Sequence, residues 1–190
     1  MNTVVKFYNE EFNKPVIYSD IKEHLPTLKR YAEQCSHITE MGMRNIVSTW
    51  AFMMGKPKKL ISYDVEDPPS LRLEAAYTGA REIGIDFKFI KQDVLKADIE
   101  NTDLLFIDTW HITDQLKKEL EIHSEKVSKF IIMHDTTTFG INGEDSNHQP
   151  TLKGQGLIPA IHIFLESNTK WKVKEVFTNN NGLTILERNR

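Results

Sequence analysis

Two apolar runs in this chain each end in acid and imidazole: Asp103-Leu-Leu-Phe-Ile-Asp-Thr-Trp-His111 and, further along, Phe130-Ile-Ile-Met-His-Asp135. A short apolar run bounded by polar residues reads as a strand buried on both faces. Such strands belong to parallel sheets, whose ligands bind outside the carboxyl ends of the strands. The pattern therefore points to a helix-covered parallel sheet and predicts that Asp108, His111, His134 and Asp135 converge on one crevice. Carboxylates and imidazoles gathered where water is partly excluded can hold a divalent metal or move a proton. An active site is the expectation.

The rest of the chain alternates strand and helix signals, as a parallel sheet with helices on both faces requires. After an irregular start, Ser19 or Asp20 caps a helix over Ile21–Gln34, with Pro26 early enough to be tolerated. A strand over His37–Met41 leads to a helix over Ile46–Met54, closed by Gly55 and Pro57. A strand over Leu60–Tyr63 is followed, after Asp67-Pro-Pro-Ser70, by a helix over Leu71–Ile83 that Gly84 ends. Asp86–Asp93 and Leu104–Ile107 read as strands, Ile112–Lys126 as the helix returning from the latter, and Phe130–Met133 as the fifth strand. Thr136–Gln155 is polar and long, and it lies where ligands bind, which marks it as a lid or substrate loop. A helix over Leu157–Glu166 leads to Trp171–Phe177 and Leu183–Leu186, and the intervening Asn179-Asn-Asn-Gly182 is a hairpin signal.

At 190 residues the chain suits one domain with a sizeable core. A net charge of −3 supplies no pull toward phosphate backbones. The one dense basic cluster, Lys56-Pro-Lys-Lys59, reads as a solvated turn, so no nucleic-acid partner is expected. Cys35 is the only cysteine, which rules out an internal disulfide and suits a reducing compartment. The N-terminus lacks the apolar stretch of a signal peptide, and no apolar run approaches membrane-spanning length. A cytoplasmic protein with no membrane partner is expected, with homo-oligomerisation left open.

Five β-α units closed by a hairpin exceed what a plain dinucleotide-binding domain needs. The arrangement resembles the class I S-adenosylmethionine-dependent methyltransferase fold. More narrowly, Ile38-Thr-Glu-Met-Gly-Met-Arg-Asn-Ile-Val-Ser-Thr49, Asp103–His111 and Ile131–Gly140 resemble the metal-dependent O-methyltransferases grouped with macrolide-sugar methyltransferases and cephalosporin-hydroxylase-like proteins. The likeness covers residues 36–190; residues 1–35, an N-terminal segment with a helix, carry none of it. It implies an α/β, Rossmann-like, doubly wound sheet of seven mostly parallel strands with a C-terminal antiparallel hairpin strand.

It also implies roles. Glu40, Gly42, Arg44 and Ser48 fall in the turn and helix start after the first strand, where Gly42 lets backbone approach the S-adenosylmethionine cofactor. Arg44 stands where a second glycine is usual. Either its guanidinium meets the cofactor's carboxylate or the turn no longer binds it. Asp64 matches the acid that accepts the ribose hydroxyls and Asp93 the one that accepts the adenine amino group, with Val94 beside the ring; each acid can alternatively cap the next local structure. Carried across, Asp108 and Asp135 hold a divalent cation, magnesium or manganese, and His111 is the general base. His134 stands where the pattern has a carboxylate, which leaves three alternatives: a site that prefers manganese, iron or zinc, magnesium held by Asp108 and Asp135 alone, or two histidines working without a metal. The implied reaction is methylation of a hydroxyl on a small polar acceptor, a sugar being the best guess. The alternatives are a metal-dependent hydrolase or lyase on the same fold, and a binding module that has lost turnover. The remaining histidines, His24, His37, His123 and His162, read as structural, and His148 as a solvated loop residue.

Overall fold

The computed structural model describes residues 1–144 and 155–189. Seven strands, β1 (His37–Met41), β2 (Lys59–Asp64), β3 (Asp86–Lys91), β4 (Thr102–Ile107), β5 (Val127–His134), β6 (Trp171–Phe177) and β7 (Leu183–Arg188), form one sheet in the order β3-β2-β1-β4-β5-β7-β6. The first five pair in parallel; β7 enters antiparallel between β5 and β6. This is the Rossmann-like class I methyltransferase architecture, hairpin strand included.

The alternation of side chains along each buried strand builds two cores. Leu104 and Phe106 of β4, with Phe130 and Ile132 of β5, join the core under α1 (Thr3–Phe12), α2 (Leu25–Ala32), α3 (Ser48–Met54) and α4 (Ser70–Ile83). Leu105, Ile107, Ile131 and Met133 point the other way, onto α5 (Thr113–His123) and α6 (Leu157–Ser167). A two-sided core explains why these strands read as unbroken apolar runs.

The N-terminus is not irregular. The Asn2 side chain caps α1 by accepting the Val5 N–H, and Val4, Tyr8 and Glu11 are buried at helical spacing. Phe7 stacks on Trp50 of α3 with ring centroids 4.8 Å apart, so residues 1–35 share the main core. Two helix starts and one helix end also differ from expectation. Residues 22–24 form a 3-10 turn and α2 begins at Leu25, because Pro26 is tolerated only in a first turn. Neither Ser19 nor Asp20 caps that helix. Arg44 and Ile46 have left-handed backbone (φ 45° and 62°), which delays α3 to Ser48. Helix α5 ends at His123, and Ser124–Lys126 form a further 3-10 turn. Among the described residues no helix is long and apolar enough to cross a membrane.

Candidate active site

Strand order reverses between β1 and β4, and an open α/β sheet binds its ligands at such a switch point. Here the two strand ends touch. The Asp108 N–H donates to the Met41 carbonyl at 2.9 Å, and a Cβ on Gly42 would stand 1.9 Å from the Asp108 carbonyl oxygen. Gly42 also has φ +86°, so both sterics and conformation demand glycine. The next step of the turn is fixed by Asp64, whose Oδ2 accepts the Arg44 N–H at 2.8 Å while Oδ1 accepts that of Glu66 at 3.0 Å.

A cavity of about 560 Å³ opens at this point, lined by Gly42, Arg44, Asp64, Asp93 and Val94 from the predicted cofactor set, together with Asp108. Gln92, Trp110, Gln115 and Lys118 are among its other wall residues. Asp93 doubles as a cap, its Oδ1 accepting the Leu95 N–H at 3.0 Å. Glu40 and Ser48 do not line the cavity. Glu40 is fully buried beneath the turn, where it accepts hydrogen bonds from the hydroxyls of Ser48, Thr49 (2.8 Å) and Ser62. Burial pushes its carboxyl up to about 7 against the opposing pull of those three donors. The pair therefore ties α3 to β1 and β2 rather than facing the crevice.

At the rim of the cavity the four residues marked by the apolar runs do meet. His111 Nε2 lies 2.9 Å from Asp135 Oδ2 and 3.4 Å from Asp108 Oδ1. His134 Nδ1 lies 3.3 Å from Asp108 Oδ1 and 3.4 Å from Asp135 Oδ2. Burial opposes charge on both rings, but the two carboxylates outweigh it: His111 is lifted to about 10 and His134 well above its ordinary value. Burial likewise opposes ionisation of Asp108 and Asp135, and the imidazoles overcome it, holding both carboxyls low. His134 Nε2 faces the carbonyls of Asp20 (3.1 Å) and Asn180 (3.3 Å) and must donate there, which directs Nδ1 at the acids.

The donor set suits a divalent cation. Ligand atoms of Asp108, His111 and Asp135 lie within 4.8 Å of one another, and Asp135 Oδ1 is buried with no hydrogen-bond partner among the described residues. Asp135 also has left-handed backbone, φ 61°, a strained conformation that aims its carboxylate into the cluster. The imidazole in this triplet is His111; His134, the metal-ligand candidate of the sequence, brings Nδ1 to 3.3 and 3.4 Å from the same two acids while its Nε2 is tied to the backbone.

Three supporting residues were not foreseen. Glu144 Oε2 lies 2.9 Å from His111 Nδ1, and Phe139 stacks on the His111 ring at 4.7 Å with an interplanar angle of 2°. Glu119, fully buried on α5, accepts bonds from Thr109 Oγ1 and Gln115 Nε2, both at 2.7 Å, and burial pushes it up to about 7. A glutamate in a polar loop carries no local signal. Glu119 did carry one, as a charged residue on the same helical face as Leu116 and Leu120. Among the structural histidines, His24 Nε2 meets the Asn179 carbonyl at 2.9 Å and His123 Nε2 that of Val94 at 2.9 Å. His148 and half of the expected lid lie outside the described residues, in 145–154.

The sequence matches no family model and no curated protein. Its fold is nonetheless shared with solved methyltransferases. SAH-bound Podospora anserina methyltransferase PaMTH1 superposes with a TM-score of 0.63 at 13% identity, over 100% of this chain and 89% of that one. The Bacillus cereus O-methyltransferase in complex with SAH gives 0.57 at 13% identity, over 97% and 91%. Burkholderia thailandensis 1,6-didemethyltoxoflavin-N1-methyltransferase, with bound 1,6-didemethyltoxoflavin and S-adenosylhomocysteine, gives 0.63 at 11% identity, over 90% and 79%. This chain therefore has the class I methyltransferase fold.

Proposed function

We propose that the chain is an S-adenosylmethionine-dependent O-methyltransferase acting on a hydroxyl of a small polar acceptor, with a sugar as the first candidate, assisted by a divalent cation. The observation that carries this reading is one juxtaposition: a switch-point cavity whose wall holds an acid at each of the β2, β3 and β4 ends, with the Asp108, His111, Asp135 cluster at its rim. Methyl transfer from a sulfonium is an in-line displacement. It requires the acceptor oxygen to be held against the methyl group and relieved of its proton. In this proposal Asp64 accepts the ribose hydroxyls, Asp93 the adenine amino group beside Val94, and Gly42 admits the backbone to close range. A cation held by Asp108, Asp135 and the His134 imidazole, which leaves His111 free to act as base, would supply charge to an acceptor oxygen. His111 is charged while Asp108 and Asp135 act on it alone, so its service as base requires those carboxylates to be engaged elsewhere.

A hydrolase or lyase would use the cluster and have no need of the adjoining cavity. Isothermal titration with S-adenosylmethionine tests the reading directly. Saturable binding that Asp64→Ala weakens supports it; absence of binding by the intact protein refutes it.

A further inference from the structure

A second cavity, of about 810 Å³, lies on the far side of Arg44 from the cofactor crevice. We infer that it is the acceptor site, and that it admits hydroxylated ring compounds carrying no more than one negative charge. The inference rests on the methyltransferase reading above.

Position is the first argument. Arg44 lines both cavities, its side chain 79% exposed between them. Asp20 and Asn180 also line the second cavity, and their carbonyls receive the His134 Nε2 bond. The His134 imidazole thus stands between this wall and Asp108 and Asp135, bonded to the wall through Nε2 and facing the acids through Nδ1. Arg44 is the residue the two cavities share, so an acceptor held here would meet the cofactor crevice along that side chain. The cavity's volume is that of a site for a small organic molecule.

An unsatisfied group is the second. Ser19 lines the cavity, is only 9% exposed, and its Oγ has no hydrogen-bond partner among the described residues. A buried hydroxyl without a partner costs free energy in the empty protein that a polar ligand edge would recover.

Charge sets the class of ligand. Lys14 and Arg72 both clamp Glu11, whose carboxylate is buried between them, and Arg44 Nη1 stands 3.5 Å from Asp20 Oδ2. Three cations facing two carboxylates leave a single positive charge for a ligand. A coenzyme A thioester or a nucleoside diphosphate would bring several negative charges against that wall, whereas a neutral or singly charged compound is matched. At the mouth, Ile17 and Tyr18 stand 82% and 73% exposed, side by side on the N-terminal segment, and offer an apolar surface to the face of a ring.

The test uses the full chain and three probes: phenyl β-D-glucopyranoside (neutral), 3,4-dihydroxybenzoate (one charge) and caffeoyl-coenzyme A (several charges). Binding is read by saturation-transfer NMR and methyl transfer from labelled S-adenosylmethionine. Ser19→Phe fills the cavity from its wall, and Tyr18→Ala, at an exposed position, removes the apolar surface without threatening the fold. The glucoside or the benzoate should bind. Tyr18→Ala should weaken that binding by roughly tenfold, and Ser19→Phe should abolish it, with calorimetric affinity for S-adenosylmethionine unchanged in both. Binding of the thioester alone, binding of none of the three, or affinity indifferent to Tyr18→Ala overturns the inference. Loss of S-adenosylmethionine binding by the unmodified protein counts instead against the methyltransferase reading.

Discussion

Glu144 grips His111 from the side away from the cluster: its Oε2 lies 2.9 Å from Nδ1, while the ring's Nε2 faces Asp135. A hydrogen bond at one ring nitrogen decides what the other can do, so Glu144 directs Nε2 toward Asp108 and Asp135. Partners of this kind typically carry about 10–100-fold in activity. Glu144→Ala should lower turnover by roughly that factor and leave cofactor affinity alone, and Glu144→Gln, which can still accept the bond, should recover part of it. His111→Ala should cost roughly two to four decades, the worth of a positioned base. Steady-state kinetics alongside melting curves distinguishes these losses from unfolding; near-normal turnover in His111→Ala removes it from the chemistry.

Gly42 and Asp108 meet so closely that Gly42→Ala cannot be accommodated in place. The Cβ clash with the Asp108 carbonyl adds to a left-handed backbone. Strain of about 1–3 kcal/mol for the conformation alone is expected, appearing as a lowered unfolding midpoint and as lost S-adenosylmethionine binding in the same variant. Gly84→Ala is the control. It shares the left-handed backbone, φ +76°, but nothing lies within 4 Å of its added Cβ, so it should lower stability and keep cofactor affinity.

Asp64→Ala removes the acceptor expected to hold the ribose and also frees the Arg44 N–H. Cofactor binding should weaken by about 1.5–3 kcal/mol, the range for hydrogen bonds to a charged group. Calorimetry that finds unchanged affinity takes Asp64 out of the site.

Two carboxylates and two imidazoles form a mixed hard and soft donor set. Activity should vanish under excess chelator and return with divalent cation, manganese performing at least as well as magnesium. His134→Glu should shift that preference toward magnesium. Full activity in chelator rules out the cation.

Glu40, buried beneath the turn, supplies a pH signature of its own. Its carboxyl titrates near 7 in the fold against an ordinary value of 4.5, because burial disfavours the charge. The folded protein therefore binds a proton that the unfolded chain has released. This contribution to stability is complete below about pH 4.5 and is lost as pH rises through about 7. Glu40→Gln stays neutral and can keep all three hydroxyl partners. Its denaturation midpoint should match that of the unaltered protein at acid pH and exceed it above neutrality. A difference between the two that does not change with pH excludes Glu40 as the titrating group.

Local burial was legible along the chain. An apolar run flanked by polar residues reports that both faces of a strand are covered, and β1, β2, β4 and β5 stand within a few residues of where that pattern puts them. The acids and imidazoles ending β4 and β5 were legible for the same reason, since a parallel sheet delivers its strand ends to one side. The α1 helix was written there too, in the Asn2 cap and the spacing of Val4, Tyr8 and Glu11.

Tertiary structure decided which of these groups touch. That Glu144 faces His111, that Asn180 and Asp20 close over His134, and that the N-terminal segment walls a cavity beside Arg44 depend on loops returning from distant strands. Periodicity records how each residue meets its own element's core, within a turn or a strand. The direction in which a loop folds back is set by sheet order and by packing between elements far apart in sequence, and no local pattern encodes either.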